Sequence, residues 1–193
     1  CFEFTAGSAR QRILLSMFQS VTPRTAGFNT ADLAAMGSAS QALMVVLMLL
    51  GGSPGSTAGG IKTTTLAVLV LSALASARGR MRVNTFRMSI ERETLRQASS
   101  ILLIYLGMSL TAILAICAIE PFGLKAVTFE VVSAIATVGL SLGLTPQLSA
   151  ASRVILILLM YAGRIGGLSF VLLFSERRSE PPLDRPTGKI LIG

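Results

Sequence analysis

The sequence predicts an all-α membrane protein, and three observations support this fold class. Hydrophobic residues make up 52% of the chain and charged residues only 13%, with a mean hydropathy of +0.70. Soluble domains carry about 25% charged residues, so this chain has too few to cover a surface in water. Two apolar segments are long enough to cross a bilayer, and shorter apolar segments lead into turns that contain glycine.

The two long apolar segments comprise residues 98–119 and 154–174. The first has no charge, and at about 1.5 Å per residue a helix of this length crosses a hydrocarbon core of about 30 Å. The second contains a single charge, Arg164, near its middle. Because a charge on the lipid face at that depth is costly, we expect Arg164 to line an interior path. An arginine that snorkels or pairs with another helix is the alternative.

Residues 41–50 and 63–77 are also apolar, but each segment is short for a membrane span. Between them, residues 51–62 contain five glycines and one proline, and we name this segment the glycine loop. A helix cannot continue through such a segment. Bare backbone at membrane depth is tolerated only when it is buried in protein or faces a water-filled cavity. The pattern predicts one broken transmembrane helix, with an aqueous linker between two short helices as the alternative.

Two half-length apolar segments, residues 13–21 and 127–136, each precede a Thr-x-Gly sequence. We name residues 25–27 the first turn and residues 137–139 the second turn. A longer apolar helix with one cation follows each turn. The same order of half-length helix, turn and long helix therefore occurs twice, which indicates an internal repeat.

The spacing of the two cations supports this repeat. Gly27 precedes Lys62 by 35 residues, and Gly139 precedes Arg164 by 25 residues. The difference equals the length of residues 51–60. The first copy is therefore interpreted as the second copy with residues 51–60 inserted.

The basic residues predict the orientation of the chain. The net charge of the chain is +8, and six arginines lie in one connector, residues 78–97. They are Arg78, Arg80, Arg82, Arg87, Arg92 and Arg96. Arginine concentrated beside apolar spans is typical of cytoplasmic loops, and the basic residues after Ser175 indicate the same side for the C-terminus. No aromatic platform or zinc-knuckle spacing accompanies these arginines, so we expect no nucleic acid partner.

The composition also disfavours an enzyme. The chain has no histidine and two cysteines, which removes the commonest general base and any metal cluster or disulfide framework. Residues 55–63 superficially resemble a P-loop, but Ile61 separates the glycine from the lysine that must follow it directly. We expect no enzymatic activity, no cofactor and no metal site.

The two turns suit a cation that must exchange its water shell for other oxygens. Backbone carbonyls do this when a short extended segment directs them to one axis, and glycine adopts the positive φ angles that such a segment requires. The C-terminal end of a short helix adds a negative partial charge that favours a cation. One Thr-x-Gly sequence is a weak signal, whereas two copies in the same helical context predict an ion filter.

Five segments carry a resemblance to a known family. They are residues 20–30 (SVTPRTAGFNT), 51–65 (GGSPGSTAGGIKTTT), 136–141 (ATVGLS), 163–166 (GRIG) and 189–193 (KILIG). In this order they resemble the third pore loop, the intramembrane gating loop, the fourth filter, the arginine-bearing final helix and the C-terminus of the KtrB/TrkH/HKT superfamily of potassium transporters. The resemblance is closest to KtrB and covers nearly the whole chain.

The resemblance implies which residues form the filter and which form the gate. The filter residues would be Thr25, Ala26, Gly27, Phe28, Asn29, Thr137, Val138, Gly139, Leu140 and Ser141. The gate residues would be Gly51, Gly52, Ser53, Gly55, Ser56, Thr57, Gly59, Gly60, Lys62 and Arg164. We expect Arg164 to donate hydrogen bonds to carbonyls of the glycine loop. An ordinary solvated lysine is the alternative for Lys62.

The resemblance also implies helix–pore loop–helix pseudo-repeats of the potassium-channel type. Residues 1–77 would be the end of the third repeat, residues 78–97 a cytoplasmic connector, and residues 98–193 the fourth repeat with the C-terminal tail. The chain would then carry two of four filter segments, and its start at Cys1 leads us to expect further sequence upstream. Gly167 departs from the family pattern, which has proline at that position.

The implied partners and substrates follow from the same resemblance. They are the lipid bilayer of the plasma or inner membrane, a second copy in a homodimer, and a cytoplasmic nucleotide-binding ring of the KtrA type. Potassium would be the substrate, with sodium as a coupling ion. The alternatives are a transporter of sodium or of unselected monovalent cations, and a membrane subunit that does not conduct.

Two carboxylates near the turns leave alternatives open. Glu130, in the second half-length segment, either complements the positive end of its helix or accepts bonds from filter amides. Asp32, after the first turn, either attracts cations to an outer mouth or caps the next helix.

Overall fold

The computed structural model describes residues 8–55, 58–79, 84–85 and 88–165 of the 193-residue chain. The α-helices in this part are α1 (Ala9–Val21), α2 (Ser38–Leu49), α3 (Thr63–Ala77), α4 (Arg92–Ile119), α5 (Leu124–Ile135) and α6 (Ala150–Ile165). A 3₁₀ helix covers Thr145–Gln147. The fold is helical, as predicted, apart from one small antiparallel ladder in the connector, in which β1 (Asn84–Thr85) pairs with β2 (Met88–Ser89).

The helix bounds agree with the apolar segments in most places. The two half-length segments form α1 and α5, and the short segments on either side of the glycine loop form α2 and α3. Helix α4 begins at Arg92, six residues before the apolar run, so the last part of the predicted connector is helical. Helix α6 begins at Ala150, whereas residues 166–174 of the predicted second span lie outside the described residues.

Helix α5 is at the centre of the fold and packs against α2, α4 and α6. Its residues are apolar nearly all round, which is the pattern of a buried helix. Val127, Val131 and Ile135, spaced four apart, belong to a cluster with α4 and α6. Phe129 and Val132 belong to a second cluster with α2. The second turn, which follows α5 directly, is therefore attached to the most enclosed helix.

Helix α4 has the length and composition of a membrane-crossing helix. Within the described residues it alone is long and apolar enough to cross a bilayer, over Glu93–Ile119. Its exposed large side chains recur along one face, at Leu103, Leu106, Leu110 and Leu114. An apolar stripe of this length cannot be left in water without large cost, so it fits contact with lipid.

A carboxylate joins the end of α4 to the start of α6. Glu120 Oε1 accepts hydrogen bonds from the Ser149 amide at 2.8 Å and from the Ser152 hydroxyl at 3.0 Å. Hydrogen bonding from the Ser149 side chain, then from its backbone and from Ser152, lowers the pKa of Glu120 below its usual value. This contact fixes the crossing of the two long helices at one end.

Helix α1 is the least enclosed of the helices. A capping box starts it, in which the Gln11 amide donates to the Ser8 hydroxyl and the Ser8 amide donates to the Gln11 side chain. Several of its apolar side chains, among them Leu14, Met17 and Val21, are more than half exposed in this chain. The first turn therefore follows a helix that has an uncovered apolar face, unlike α5.

Candidate functional site

The two Thr-x-Gly turns share an unusual backbone. Thr25 and Thr137 have φ angles of 61° and 54°, and Gly27 and Gly139 have φ angles of 72° and 88°. The left-handed glycines are as the sequence predicted, whereas the left-handed threonines were not predicted. A positive φ is rare for a β-branched residue, and such strain concentrates at functional sites. In each turn, a left-handed threonine and a left-handed glycine thus flank one residue that is not left-handed.

The fold brings the two turns into contact. A Cβ atom placed on Gly27 would overlap the carbonyl oxygen of Val138, so only glycine allows this approach. The Val138 and Leu140 side chains are 5% and 2% exposed and pack in the cluster with α2. With these side chains held in the protein interior, the backbone of the second turn faces the first turn and the adjoining cavities.

Two cavities adjoin the second turn. One has a volume of about 500 Å³ and is lined by Gly139, Ser141, Asn29 and Asp32, among others. The sequence predicts that the connector arginines at the start of α4 face the cytoplasm, so Glu120 at the other end of α4 would face outward. We name this cavity the outer cavity because we assign it to the Glu120 side. It contains the carboxylate that was predicted as a possible attractor of cations.

The other cavity, which we name the inner cavity, has a volume of about 350 Å³. Its lining residues are Arg24, Thr25, Gly52, Ser53, Ala58, Thr137 and Arg164. Both turn threonines and two arginines therefore meet at this cavity, together with part of the glycine loop. The second turn runs from the inner cavity at Thr137 to the outer cavity at Gly139.

The glycine loop is closed at its base by backbone hydrogen bonds. The Gly51 amide donates to the Ile61 carbonyl at 2.9 Å, and the Ile61 amide donates to the Leu49 carbonyl at 3.1 Å. A third bond joins the Thr63 amide to the Gly52 carbonyl at 3.3 Å. The ends of α2 and α3 are thus tied together, as a broken helix requires, and the residues between them protrude as a loop.

Glycine is required sterically at this base. A Cβ atom on Gly51 would overlap the carbonyl oxygen of Gly59, and Gly60 has a φ of 74°. Gly55 follows Pro54 in a turn, with a φ of 83° and open space around it. The predicted gate residues Ser56 and Thr57 lie outside the described residues.

The glycine loop contacts the second turn through Gly59. The Gly59 amide donates to Thr137 Oγ1 at 3.1 Å, and a Cβ atom on Gly59 would overlap that oxygen. Thr25, the equivalent threonine in the first turn, instead donates its hydroxyl to the Arg24 carbonyl at 2.7 Å. In the described part of the loop, a hydroxyl contact is therefore made with the second turn. This contact was not predicted from the sequence.

The two predicted gate cations have different positions relative to the glycine loop, which ends at Lys62. Lys62 Nζ donates to the carbonyl of Ala58 within the loop, so Lys62 is held by the loop and is not an ordinary solvated lysine. Arg164 lines the inner cavity together with Gly52 and Ser53. The structure thus brings Arg164 from the second copy next to the loop of the first copy.

The position of Arg164 is set by close packing of α6 on the end of α5. A Cβ atom on Gly163 would overlap the carbonyl oxygen of Ile135, the last residue of α5. The Tyr105 hydroxyl of α4 donates to the Gly163 carbonyl at 3.3 Å. Three helices therefore meet at the residue that precedes Arg164.

Two of the open alternatives are resolved by these contacts. The hydrogen-bond partners of the Glu130 carboxylate are the hydroxyls of Ser141, itself a predicted filter residue, and of Thr145. The alternative in which Glu130 accepts bonds from filter amides therefore does not hold. The N-cap of α2 is Gly37, so Asp32 is not the cap. Asp32 accepts a bond from the Ala34 amide at 3.0 Å and lines the outer cavity.

The remaining predicted filter residues lie within the turns or directly after them. The first turn is held to α1 by the Ala26 amide, which donates to the Thr22 carbonyl at 3.2 Å. The Thr22 hydroxyl donates to the Phe28 carbonyl, while the Phe28 side chain is 71% exposed. Asn29 lines the outer cavity. Thr22, Arg24 and Thr145 were not predicted as site residues from the sequence.

Within the described residues, no group of histidine, cysteine and carboxylate side chains has the arrangement of a metal site. Apart from Asp32 and Asn29 in the outer cavity, the oxygens available as cation ligands around the turns are backbone carbonyls and hydroxyls. Such neutral oxygens suit a monovalent cation that passes through, because binding must be weak enough for release.

Comparison with known proteins gives consistent matches over most of the chain. A family described as TrkH, cation transport protein, matches residues 5–181. The potassium/sodium uptake protein NtpJ of Enterococcus hirae is 37% identical over 193 residues, which cover 97% of this chain and 43% of that protein. The Ktr system potassium uptake protein B of Bacillus subtilis is 37% identical over 182 residues, with coverages of 94% and 41%. Its namesake in Vibrio alginolyticus is 36% identical over 181 residues, with coverages of 93% and 39%. The chain spans about two fifths of the length of these relatives.

Proposed function

Because the chain belongs to the TrkH family of cation transport proteins, we propose that it is the C-terminal part of a membrane subunit that moves potassium ions into the cell. The first and second turns would be two of the four segments that form its selectivity filter. The relatives named as potassium uptake proteins support potassium as the substrate. Membrane localisation follows from the family, and the apolar helix α4 agrees with it.

The observation that carries the filter assignment is the backbone of the two turns. Both place left-handed residues at the threonine and at the glycine, and Gly27 lies against the Val138 carbonyl. An alternating backbone turns successive carbonyls toward one side, and rings of carbonyls replace the hydration shell of a potassium ion. The cavities at the two ends of the second turn would be the entrance and the exit of the ion.

We assign the gate to the glycine loop and Arg164. The loop adjoins the inner end of the second turn through Gly59, and Arg164 adds a positive charge at the same cavity. A positive charge there opposes a cation, so the arrangement fits a closed path. Opening would withdraw the loop from Thr137, and a cytoplasmic partner that binds the two arrangements differently would shift this equilibrium.

The partners proposed for the complete transporter are a second copy of the subunit and a nucleotide-binding ring of the KtrA type. The names of the Bacillus subtilis and Vibrio alginolyticus relatives refer to a Ktr system. The word system fits a transporter that is built from several components. The connector and the C-terminus would face the cytoplasm, where the ring binds. Sodium would be the coupling ion.

Selectivity measurements with a glycine variant test the filter. In the complete transporter, Gly139→Ser is expected to lower the ratio of potassium to sodium uptake while the protein still inserts, because a side chain and a strained φ alter the carbonyl positions. The matched control is Gly79→Ser, since Gly79 also has a positive φ of 66° and open space around it but lies at the end of α3. Equal ratios in both variants would remove the filter assignment.

The orientation has its own test. Cysteine placed at Ser89, in the connector, is expected to react with a membrane-impermeant reagent only after the membrane has been opened. Cysteine at Ser109, which lies in α4 and is 6% exposed, provides a control for a buried position. Labelling of Ser89→Cys from outside intact cells would overturn the proposed orientation.

A second candidate function is transport of sodium or of monovalent cations without strong selection. The Enterococcus hirae relative supports it, because its name includes both potassium and sodium uptake. Uptake of each ion by the parent protein, measured separately at equal concentration, decides between the two functions. A ratio near one favours the second candidate.

A further inference from the structure

A buried carboxylate lies behind the second turn and takes no part in the function proposed so far. Glu130 is the seventh residue of α5 and is 5% exposed. Its neighbours along the helix, Phe129 and Val131, are fully buried in the two apolar clusters. A carboxylate in such a position is costly unless its oxygens accept hydrogen bonds, so its partners show what the fold uses it for.

Both oxygens of Glu130 bind the segment that leaves the second turn. Oε1 accepts the hydroxyl of Ser141, and Oε2 accepts the hydroxyl of Thr145 at 2.9 Å. The Ser141 oxygen in turn accepts the amide of Gly143 at 2.9 Å. Gly143 has a φ of 87°, so residues 141–145 form a tight bend around the carboxylate.

This bend is part of the wall of the outer cavity. Ser141, Gly143 and Thr145 all line that cavity, together with Gly139 of the second turn. Helix α5 is packed on three sides by other helices and cannot shift easily, because interiors are close-packed. Glu130 therefore fixes the outer end of the second turn to a rigid element.

Within the residues that the structure describes, no carboxylate binds the first turn in this way. The residue nine positions before Gly139 is Glu130, and the residue nine positions before Gly27 is Phe18. The first turn is held through the hydroxyl of Thr22, which donates to the Phe28 carbonyl. The carboxylate is thus particular to the second copy and is not a general requirement of a Thr-x-Gly turn.

We propose that Glu130 is a positioning residue for ion selectivity, which sets the geometry of the outer end of the second turn through Ser141 and Thr145. This inference rests on the proposed filter function. A filter distinguishes two monovalent cations by the placement of its oxygens. Loss of one hydroxyl bond to Glu130 frees the bend and relaxes that placement without removing any ligand of the ion.

The test is the ratio of potassium to sodium uptake by Glu130→Gln in the complete transporter. Glutamine keeps the shape of the side chain but replaces one acceptor oxygen by an amide that cannot accept a hydroxyl. The expected result is about a tenfold fall in the ratio, which corresponds to about 1.4 kcal/mol of differential binding. Thr145→Val removes the other partner of the bond and is expected to lower the ratio in the same direction.

The matched control is Glu120→Gln. Glu120 also accepts a serine hydroxyl, but it joins α4 to α6 and lies away from the turns. Its variant is expected to keep the parent ratio. The double variant Glu130→Gln/Thr145→Val is expected to lower the ratio by less than the product of the two single effects, since both variants disturb the same hydrogen-bonded bend.

Three outcomes separate this inference from the proposed function. If Gly139→Ser lowers the ratio but Glu130→Gln and Thr145→Val do not, the filter stands and the role of Glu130 is overturned. If the effects of Glu130→Gln and Thr145→Val simply add, they act separately and the inference is likewise overturned. If Gly139→Ser has no effect, the filter assignment fails and the inference fails with it.

Discussion

The first and second turns have the same local backbone but very different surroundings. Both have left-handed threonine and glycine residues. The second turn follows a helix packed against three others, is bound by a buried carboxylate and contacts the glycine loop. The first follows α1, whose apolar side chains are largely exposed in this chain. The Thr-x-Gly sequence therefore specifies the shape of the turn, whereas the packing around it specifies how firmly that shape is held.

The largest expected difference between the turns comes from alanine at their glycines. Alanine in a left-handed conformation costs about 1–2 kcal/mol, and overpacking adds about 1–3 kcal/mol. Gly27→Ala incurs both costs because of the Val138 carbonyl, whereas a Cβ atom on Gly139 has open space. The apparent melting temperature of the purified transporter is expected to fall further for Gly27→Ala. Equal losses would show that the two turns do not pack against each other.

Arg164→Ala is expected to raise potassium flux in the complete transporter and to make the flux less dependent on the cytoplasmic ring. Removal of the cation lowers the barrier at the inner cavity, and a lost charge-assisted bond is worth about 1.5–3 kcal/mol. Flux into proteoliposomes with and without the ring measures this. Arg153→Ala is the control, because Arg153 lies at the other end of α6 and donates to the Pro146 carbonyl at 2.8 Å.

Shortening the glycine loop tests the same gate from the first internal repeat, whereas Arg164 belongs to the second. Deletion of residues 53–58 keeps Gly59 and the base of the loop and is expected to raise flux in the same direction. Should this variant and Arg164→Ala both insert normally and conduct like the parent, the loop would be a passive break in a helix.

A smaller difference between the turns is expected from their threonines. Thr137→Val removes the acceptor of the Gly59 amide, whereas Thr25→Val removes a hydroxyl that donates to the Arg24 carbonyl. A typical hydrogen bond contributes about 0.5–1.5 kcal/mol, so flux in the absence of the ring is expected to rise severalfold for Thr137→Val alone. Thr137→Ser keeps the oxygen and is expected to behave as the parent. A rise in Thr25→Val of the same size would contradict a role for the loop contact.

The smallest expected effect concerns pH and a contact remote from both turns. The pKa of Glu120 is lowered in the folded chain by its bonds to Ser149 and Ser152. Its contribution to stability is therefore complete above the unfolded pKa of about 4.5 and is lost as the pH falls through the lower, folded pKa. Melting temperatures between pH 6 and pH 3 are expected to fall less steeply for Glu120→Gln than for the parent. Parallel profiles would contradict this contribution.

Prediction from the sequence succeeded where a property is local. The six apolar segments form helices α1 to α6 as far as the structure describes them, because apolar periodicity and length are read directly from the chain. The break between α2 and α3 was predictable from glycine and proline alone. The left-handed glycines of the turns were predictable for the same reason, since glycine has no Cβ atom to exclude them.

The errors arose where a side chain had several available partners. Glu130 was expected to meet filter amides or a helix end, and its partners are two hydroxyls that follow the turn. Asp32 was a plausible helix cap until the position of Gly37 was known. Local sequence contains a donor or an acceptor in each case, but it does not say which distant group comes within about 3 Å.

The sequence by itself determined that this protein is a helical membrane protein of the TrkH family with two Thr-x-Gly turns and a broken helix between them. Those features depend on residue type, spacing and the dihedral angles that each residue tolerates. Only the tertiary structure decided that Gly27 meets Val138, that Gly59 meets Thr137 and that Arg164 shares a cavity with the glycine loop. These contacts join segments far apart in the chain, and they form because the packing of α2, α4 and α6 around α5 places the two copies side by side.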